Sequence, residues 1–186
     1  STMAGFNFVG TESQGDITGK SKTFHVLASH SGVLGIGDLV VLTGTSFTDG
    51  YAEVDIGTAN IGNTGVVTGV RPSFAGEALS YTHLPASTGG YLTVNTDAFA
   101  LYAVDVANGP FTAVDVGLNC PAVVTAGTVT GSIFVSNMKA NFTGRATTAT
   151  LPLTVVRLLT GSDGVLGSKA LVRVNETNSK LGATGI

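Results

Sequence analysis

Apolar residues along this chain recur mostly at every second position. The clearest case is 51–56, where Ala52, Val54 and Ile56 fall on one side and Tyr51, Glu53 and Asp55 on the other. That alternation predicts a half-buried strand. Further strands are predicted over 23–28, 38–43, 65–70, 91–94, 99–106, 111–116, 122–126, 127–135, 151–159 and 171–175. Turn signals separate several of them, among them Thr48-Asp49-Gly50, Asn95-Thr96-Asp97 and Asn108-Gly109-Pro110. Nowhere do apolar residues hold the i, i+3, i+4, i+7 spacing over three helical turns. The expected fold is all-β, a single β-barrel or β-sandwich domain.

The domain is predicted to span 23–175. Residues 1–22 are rich in Gly, Ser and Thr, with isolated Phe6, Phe8, Val9 and Ile17, and read as an extended N-terminal arm. Residues 73–90 read as an irregular loop or small lobe, and 176–186 as a polar tail. The segment 99–106, FALYAVDV, is apolar on both faces: Phe99, Leu101 and Ala103 on one, Tyr102, Val104 and Val106 on the other. Such a strand needs cover on both sides. The core of the domain takes one side, and a second layer or another chain takes the other. In 151–159, Leu151, Leu153, Val155 and Leu159 share a face, and Arg157 interrupts it.

Composition sharpens this picture. Charged residues make up only 11% of the 186, against about 25% in an average soluble protein. Mean hydropathy is +0.37. The longest charge-free run, 116–138, is broken by Asn119, Pro121, Gly127 and Gly131, so it reads as strands and turns. A membrane-spanning helix needs about 20 predominantly apolar residues. Apolar groups in excess of what a small core can hide predict burial against other chains, including self-association as a dimer or trimer. The nine Lys and Arg residues are scattered and the net charge is −3, which argues against a nucleic-acid face. The single Cys120 excludes an internal disulfide and reads as a buried hydrophobe. The first ten residues lack a basic stretch followed by an apolar one, so cytoplasmic synthesis is the expectation.

The search for chemistry is mostly negative. No GxSxG elbow, HExxH, phosphate-binding loop or calcium loop is present. His25, His30 and His83 have no carboxylate at metal-ligand spacing, and His25 reads as a hydrogen-bonded strand histidine. Glu53 and Asp55 read as a solvated strand face. No catalytic residue, metal or cofactor is expected, and the protein reads as an assembly component rather than an enzyme.

The order of segments carries one resemblance. Ala4–Phe6 (AGF) precedes a polar stretch, then come GDLVVLTG (37–44), IGNTGVVTGV (61–70), FALYAVDV, AVDVGLN (113–119) and TTATLPLTVVRLLTGSDGVLGSKALVRVN (147–175). In this order the chain resembles the head decoration, or cement, proteins of tailed bacteriophages. The centre is less aromatic and charged than the family pattern, and the turn at 161–164 lacks its proline. The resemblance implies a non-enzymatic virion protein, made in the bacterial cytoplasm, that binds the outer capsid surface and bridges major capsid proteins. On that reading the arm reaches a neighbour through Phe6, Phe8 and Val9. Its removal should weaken capsid binding and leave folding intact. Tyr102, Val104 and Val106 form either a subunit or capsid interface or a second core layer. The alternatives are a tail-tube or connector component, or a fibre-associated adhesive module that binds glycans; zero Trp and four Tyr offer few platforms for sugars.

Overall fold

The structure, a computed structural model, describes residues 4–12, 21–72 and 82–175. The rest of the arm, residues 73–81 of the irregular 73–90 stretch and the C-terminal tail lie outside the described residues. In chain order the strands are β1 (Asn7–Thr11), β2 (Ser21–Val26), β3 (Leu34–Gly35), β4 (Leu39–Ser46), β5 (Ala52–Ile56), β6 (Gly65–Pro72), β7 (His83–Leu84) and β8 (Gly90–Asn95). They continue as β9 (Ala100–Ala107), β10 (Asn119–Cys120), β11 (Ala122–Val123), β12 (Thr128–Thr130), β13 (Ile133–Val135), β14 (Lys139–Asn141), β15 (Leu153–Thr160) and β16 (Leu166–Val174). The fold is all-β, as the alternation predicts.

Five strands close into a barrel in the order β2-β5-β4-β6-β8. Every pairing in it is antiparallel except β2 with β5, which run parallel and meet at one pair, His25 with Glu53. Phe24, Val26, Val40, Val54, Val67, Leu92 and Val94 fill the interior, joined by Leu34 and Leu84 from the small β3–β7 sheet. A second sheet runs β10-β15-β16-β9-β14-β11, with β1 added on β9. Its centre is β9, which pairs with β16 along one edge and with β1 and then β14 along the other. A second core lies against this sheet, built around Tyr102, Val104, Phe111, Met138, Leu153 and Val172. Leu39 and Val66, from barrel strands, belong to this second core.

Three predicted strands change on inspection, and the first is 127–135, which turns at 131–132 to form the β12–β13 hairpin. Residues 111–116 form a turn of 3-10 helix over Ala113–Asp115. The Asp115 carboxylate explains it, because it accepts from the Thr112 amide at 2.7 Å and hydroxyl at 3.1 Å, a local bond that competes with a strand. Arg145 Nε donates to its other oxygen at 2.5 Å, with the guanidinium lying over the Phe142 ring. Burial disfavours the charge on Asp115, yet these bonds hold its carboxyl below the usual range. In β15 a bulge separates Val155 from Arg157. The extra residue resets the alternation, so Arg157 turns to solvent and Leu158 packs against the core.

The two cores meet at Asp38, which is wholly buried. Its carboxylate accepts from the Gly35 amide at 3.0 Å and from the Ser136 hydroxyl at 2.5 Å. The Leu39 amide donates to Met138 Sδ at 3.0 Å beside it. Gly5 sits so close that a Cβ there would lie 2.5 Å from that of Ser136, and its φ of +79° is one that favours glycine. Burial pushes the Asp38 carboxyl up to about 6, against the lowering effect of its hydrogen bonds. The unfolded chain ionises Asp38 near 3.8, so between pH 4 and 6 the folded state binds the extra proton. Stability therefore falls as pH rises through that window, by about 3 kcal/mol from this group. Thermal melts from pH 3.5 to 7 should show Asp38→Asn gaining on the wild type across that interval. Parallel curves for the two proteins would refute the assignment.

Candidate functional site

Cross-strand register builds a polar row on the outer wall of the barrel. His25 on β2 faces Glu53 on β5 and Tyr91 on β8, and Tyr91 faces Arg71 on β6. Directly opposed residues share a face, and their strand neighbours Val26, Val54 and Leu92 point inward. The row thus reads carboxylate, imidazole, phenol, guanidinium.

The connection between β4 and β5 folds over this row. The Phe47 ring stacks on His25 with centroids 3.8 Å apart, and Tyr91 meets His25 edge-on at 5.2 Å. Tyr51 meets Tyr91 in the same way at 5.5 Å. The Tyr91 hydroxyl donates to Asp49, which lowers the Asp49 carboxyl below its usual range and raises the tyrosine. The turn is closed by Phe47 N–H to the Tyr51 carbonyl at 2.8 Å and Gly50 N–H to the Phe47 carbonyl at 2.9 Å.

Beneath Phe47 lies an unusual pair. His25 and Glu53 are each 4% exposed, with Nδ1 and Oε2 separated by 3.6 Å. Neither atom has a hydrogen-bond partner. Glu53 is therefore not the solvated strand residue the alternation suggests, and His25 Nδ1 makes no hydrogen bond. The cause is tertiary: the Phe47 ring covers His25, and Glu53 lies beside Leu27, Ser29, His30 and Thr43. A carboxylate–imidazole pair is the raw material of acid–base chemistry. Here the Phe47 ring lies over the imidazole, and both groups are buried. Among the described residues, no three His, Cys, Asp or Glu side chains converge on a metal. Burial pushes the Cys120 thiol up to about 12, so it is not a nucleophile at neutral pH.

The residues expected at an interface are placed differently from one another. Tyr102 and Val104 are buried in the second core, which corrects their reading as a surface; they are the inner layer that a strand apolar on both faces requires. Val106 is half-buried and packs against the same core. The arm folds back on its own chain. Phe6 is buried in that core, and both Phe6 and Phe8 meet the Tyr102 ring edge-on, at 6.3 and 6.0 Å. Phe8 is partly exposed, and Val9 is 60% exposed on the outside of β1. Sequence reasoning missed that Phe6, Phe8 and Tyr102 are partners, and missed the His25–Glu53–Tyr91–Arg71 row, whose members lie on four strands. Only the pairing register reveals either.

Apolar side chains are exposed elsewhere. The β12–β13 hairpin shows Val129, Ile133 and Val135 to solvent and is anchored by Phe134, whose ring stacks on His83. An open groove of about 450 Å³ lies beside Phe99, Asn119, Thr154, Arg173 and Asn175. Its polar lining is already engaged: Arg173 pairs with Glu12 at 3.0 Å, and the Asn119 and Asn175 amides donate to the Thr148 and Leu151 carbonyls. No helix among the described residues is long and apolar enough to cross a membrane. Comparison with family models, with curated proteins and with solved structures found no match.

Phe6→Ala should cost about 3–5 kcal/mol of stability, as for other buried aromatic truncations, measured by urea unfolding. A loss under 1 kcal/mol would place Phe6 outside the core and restore the free-arm reading. Phe47→Ala should uncover His25, which would then react with diethyl pyrocarbonate at least about tenfold faster by peptide mass spectrometry. Unchanged reactivity would mean that Phe47 does not shield the pair.

Proposed function

We propose that this protein is a structural component of a bacteriophage particle, a decoration or cement protein that binds the outer surface of the head. Its partner in this reading is the major capsid protein, and neighbouring capsid subunits are bridged by copies of the chain acting as dimers or trimers. The protein works by adding contacts, not by catalysis. The order of segments described above supports the family reading.

The observation that carries the proposal is the β12–β13 hairpin. All three residues of β12 are exposed, and β13 exposes Ile133 and Val135 while Phe134 alone turns inward. A two-stranded ribbon has little stability of its own. One that spends aliphatic residues on solvent is suited to docking. Low overall charge reduces the desolvation cost of such docking. Many copies on one head raise avidity, so each contact can be weak. Phe8 and Val9 on β1 add a second apolar patch, offered from a docked strand and not from a free arm.

A second reading is favoured by the ring cluster of Phe47, Tyr51 and Tyr91 beside Asp49. Rings flanked by a carboxylate are the chemistry of sugar recognition, so an adhesive, glycan-binding role on the same particle is the alternative.

Heads lacking the protein, mixed with the purified chain and sedimented, should bind it saturably at a fixed ratio to the major capsid protein. They should then hold their DNA to higher temperature. Ile133→Asp, at a position 66% exposed, should leave far-UV circular dichroism unchanged and weaken binding at least about tenfold. Undiminished binding by this variant would remove the hairpin from the mechanism. Absence of wild-type binding would sink the capsid reading, and retention on a glycan panel would then favour the adhesive one.

A further inference from the structure

The groove on the second sheet, about 450 Å³, falls within the range of small-molecule sites, about 300–1,000 Å³. Its floor is set by register on the face away from the core. Asn119 on β10 stands opposite Thr154 on β15, and Thr154 stands opposite Arg173 on β16. Their strand neighbours Cys120, Leu153, Val155, Val172 and Val174 belong to the second core. Asn175 extends the floor just past β16. The Phe99 ring, 51% exposed, borders the groove, and Ala98, Gly117 and Ala149 keep its walls low.

We propose that this groove binds a saccharide, a neutral hexose unit with its apolar face on Phe99 and its hydroxyls on the floor. The hydrogen-bond inventory carries the proposal. The side-chain amides of Asn119 and Asn175 each donate to a backbone carbonyl at 3.0 Å, of Thr148 and Leu151, and this fixes which way both amides point. Both Oδ1 atoms then face the Thr154 hydroxyl, at 2.6 and 3.0 Å. A hydroxyl has one proton, so it satisfies one of these oxygens at a time. The floor therefore keeps an acceptor without a donor. Arg173 gives one N–H to Glu12 at 3.0 Å, and its other N–H groups make no bond among the described residues. The Glu12 amide donates to the Phe99 carbonyl at 2.9 Å, which sets this ion pair beside the ring residue. The matching ligand offers several O–H donors, accepts from a guanidinium, has one apolar face and carries no charge to upset the ion pair. Sugars have that chemistry, with hydroxyls around a ring whose slightly positive C–H groups lie on the negative face of an aromatic side chain. An anionic ligand would meet the two amide oxygens and Glu12 as repulsion. An apolar one would leave the acceptor unpaired. The site lies on a different sheet from the Phe47, Tyr51 and Tyr91 cluster, and the inference does not depend on the capsid reading.

The test uses the full chain. Saturation-transfer difference NMR would be recorded with glucose, galactose, mannose and N-acetylglucosamine in the millimolar range, and with glucuronate as the charged comparison. At least one neutral sugar should receive saturation, strongest at the ring C–H protons that lie on Phe99. Phe99→Ala, at an exposed position, should keep the far-UV circular dichroism of the wild type and weaken that binding at least about tenfold. Asn175→Ala removes a floor acceptor and should weaken it about threefold to tenfold. Tyr51→Ala, in the ring cluster on the barrel, should leave it unchanged. No transfer to any of the four neutral sugars would overturn the proposal. Binding kept in Phe99→Ala and lost in Tyr51→Ala would overturn it as well, by placing the sugar on the barrel wall. Tighter binding of glucuronate than of every neutral sugar would overturn the assignment of an uncharged ligand.

Discussion

A buried carboxylate decides how the two halves of this molecule sit together. Asp38 has no access to water, so its oxygens must find donors within the protein. One donor, Gly35, belongs to the barrel side, and the other, Ser136, arrives from the loop before β14. Neither half satisfies Asp38 alone. Correct seating of the 136–138 loop against the barrel is thus enforced by the cost of leaving a polar group unpaired, about 1–3 kcal/mol or more for a charged one. The surroundings are fitted to that contact. Gly5 leaves room for Ser136, the Phe6 amide donates to the Gly37 carbonyl, and Met138 fills the space beside Leu39. The N-terminal segment, the barrel and the second sheet converge on one point, where apolar packing supplies most of the energy and Asp38 supplies the register.

Much of the secondary structure was legible because period 2 is a local property. Segments such as 51–56 and 99–106 declare themselves without reference to anything distant. Failures arose where a single residue overrode the period. Asp115 folded a predicted strand into a turn by bonding to Thr112, and one extra residue in β15 moved Arg157 out of a face it was expected to interrupt. The site was far less legible. His25, Tyr91 and Arg71 lie on three strands, and their alignment depends on a register no single segment encodes. The burial of His25 depends on the Phe47 ring that stacks on it. The period leaves two places open for Tyr102, an interface or a second core layer, and its burial puts it in the core.

Sheet edges are handled in two ways. The barrel removes its edges by closure. The second sheet keeps edges and blunts them. Strand β10 pairs with only the first two residues of β15, and the edge beyond carries a bulge and the charge of Arg157. Both devices discourage strand addition by another chain. Against that restraint, the aliphatic side chains left on the β12–β13 hairpin are conspicuous, since the chain guards its backbone edges yet leaves side-chain surface uncovered.

The pairing of β1 with β9 also sets an order of events during synthesis. All five barrel strands lie within residues 21–95, so the barrel has every partner it needs before β9 has been translated. Strand β1 is made before the other described strands, and its partner residue for Phe8 is Tyr102, roughly ninety residues later. At about 5–20 residues per second, a ribosome takes several seconds to supply it. During those seconds Phe6 and Phe8 have nowhere to go, and are open to chaperones and to the same segments of neighbouring nascent chains. The earliest-made of the described strands is among the last to find its place.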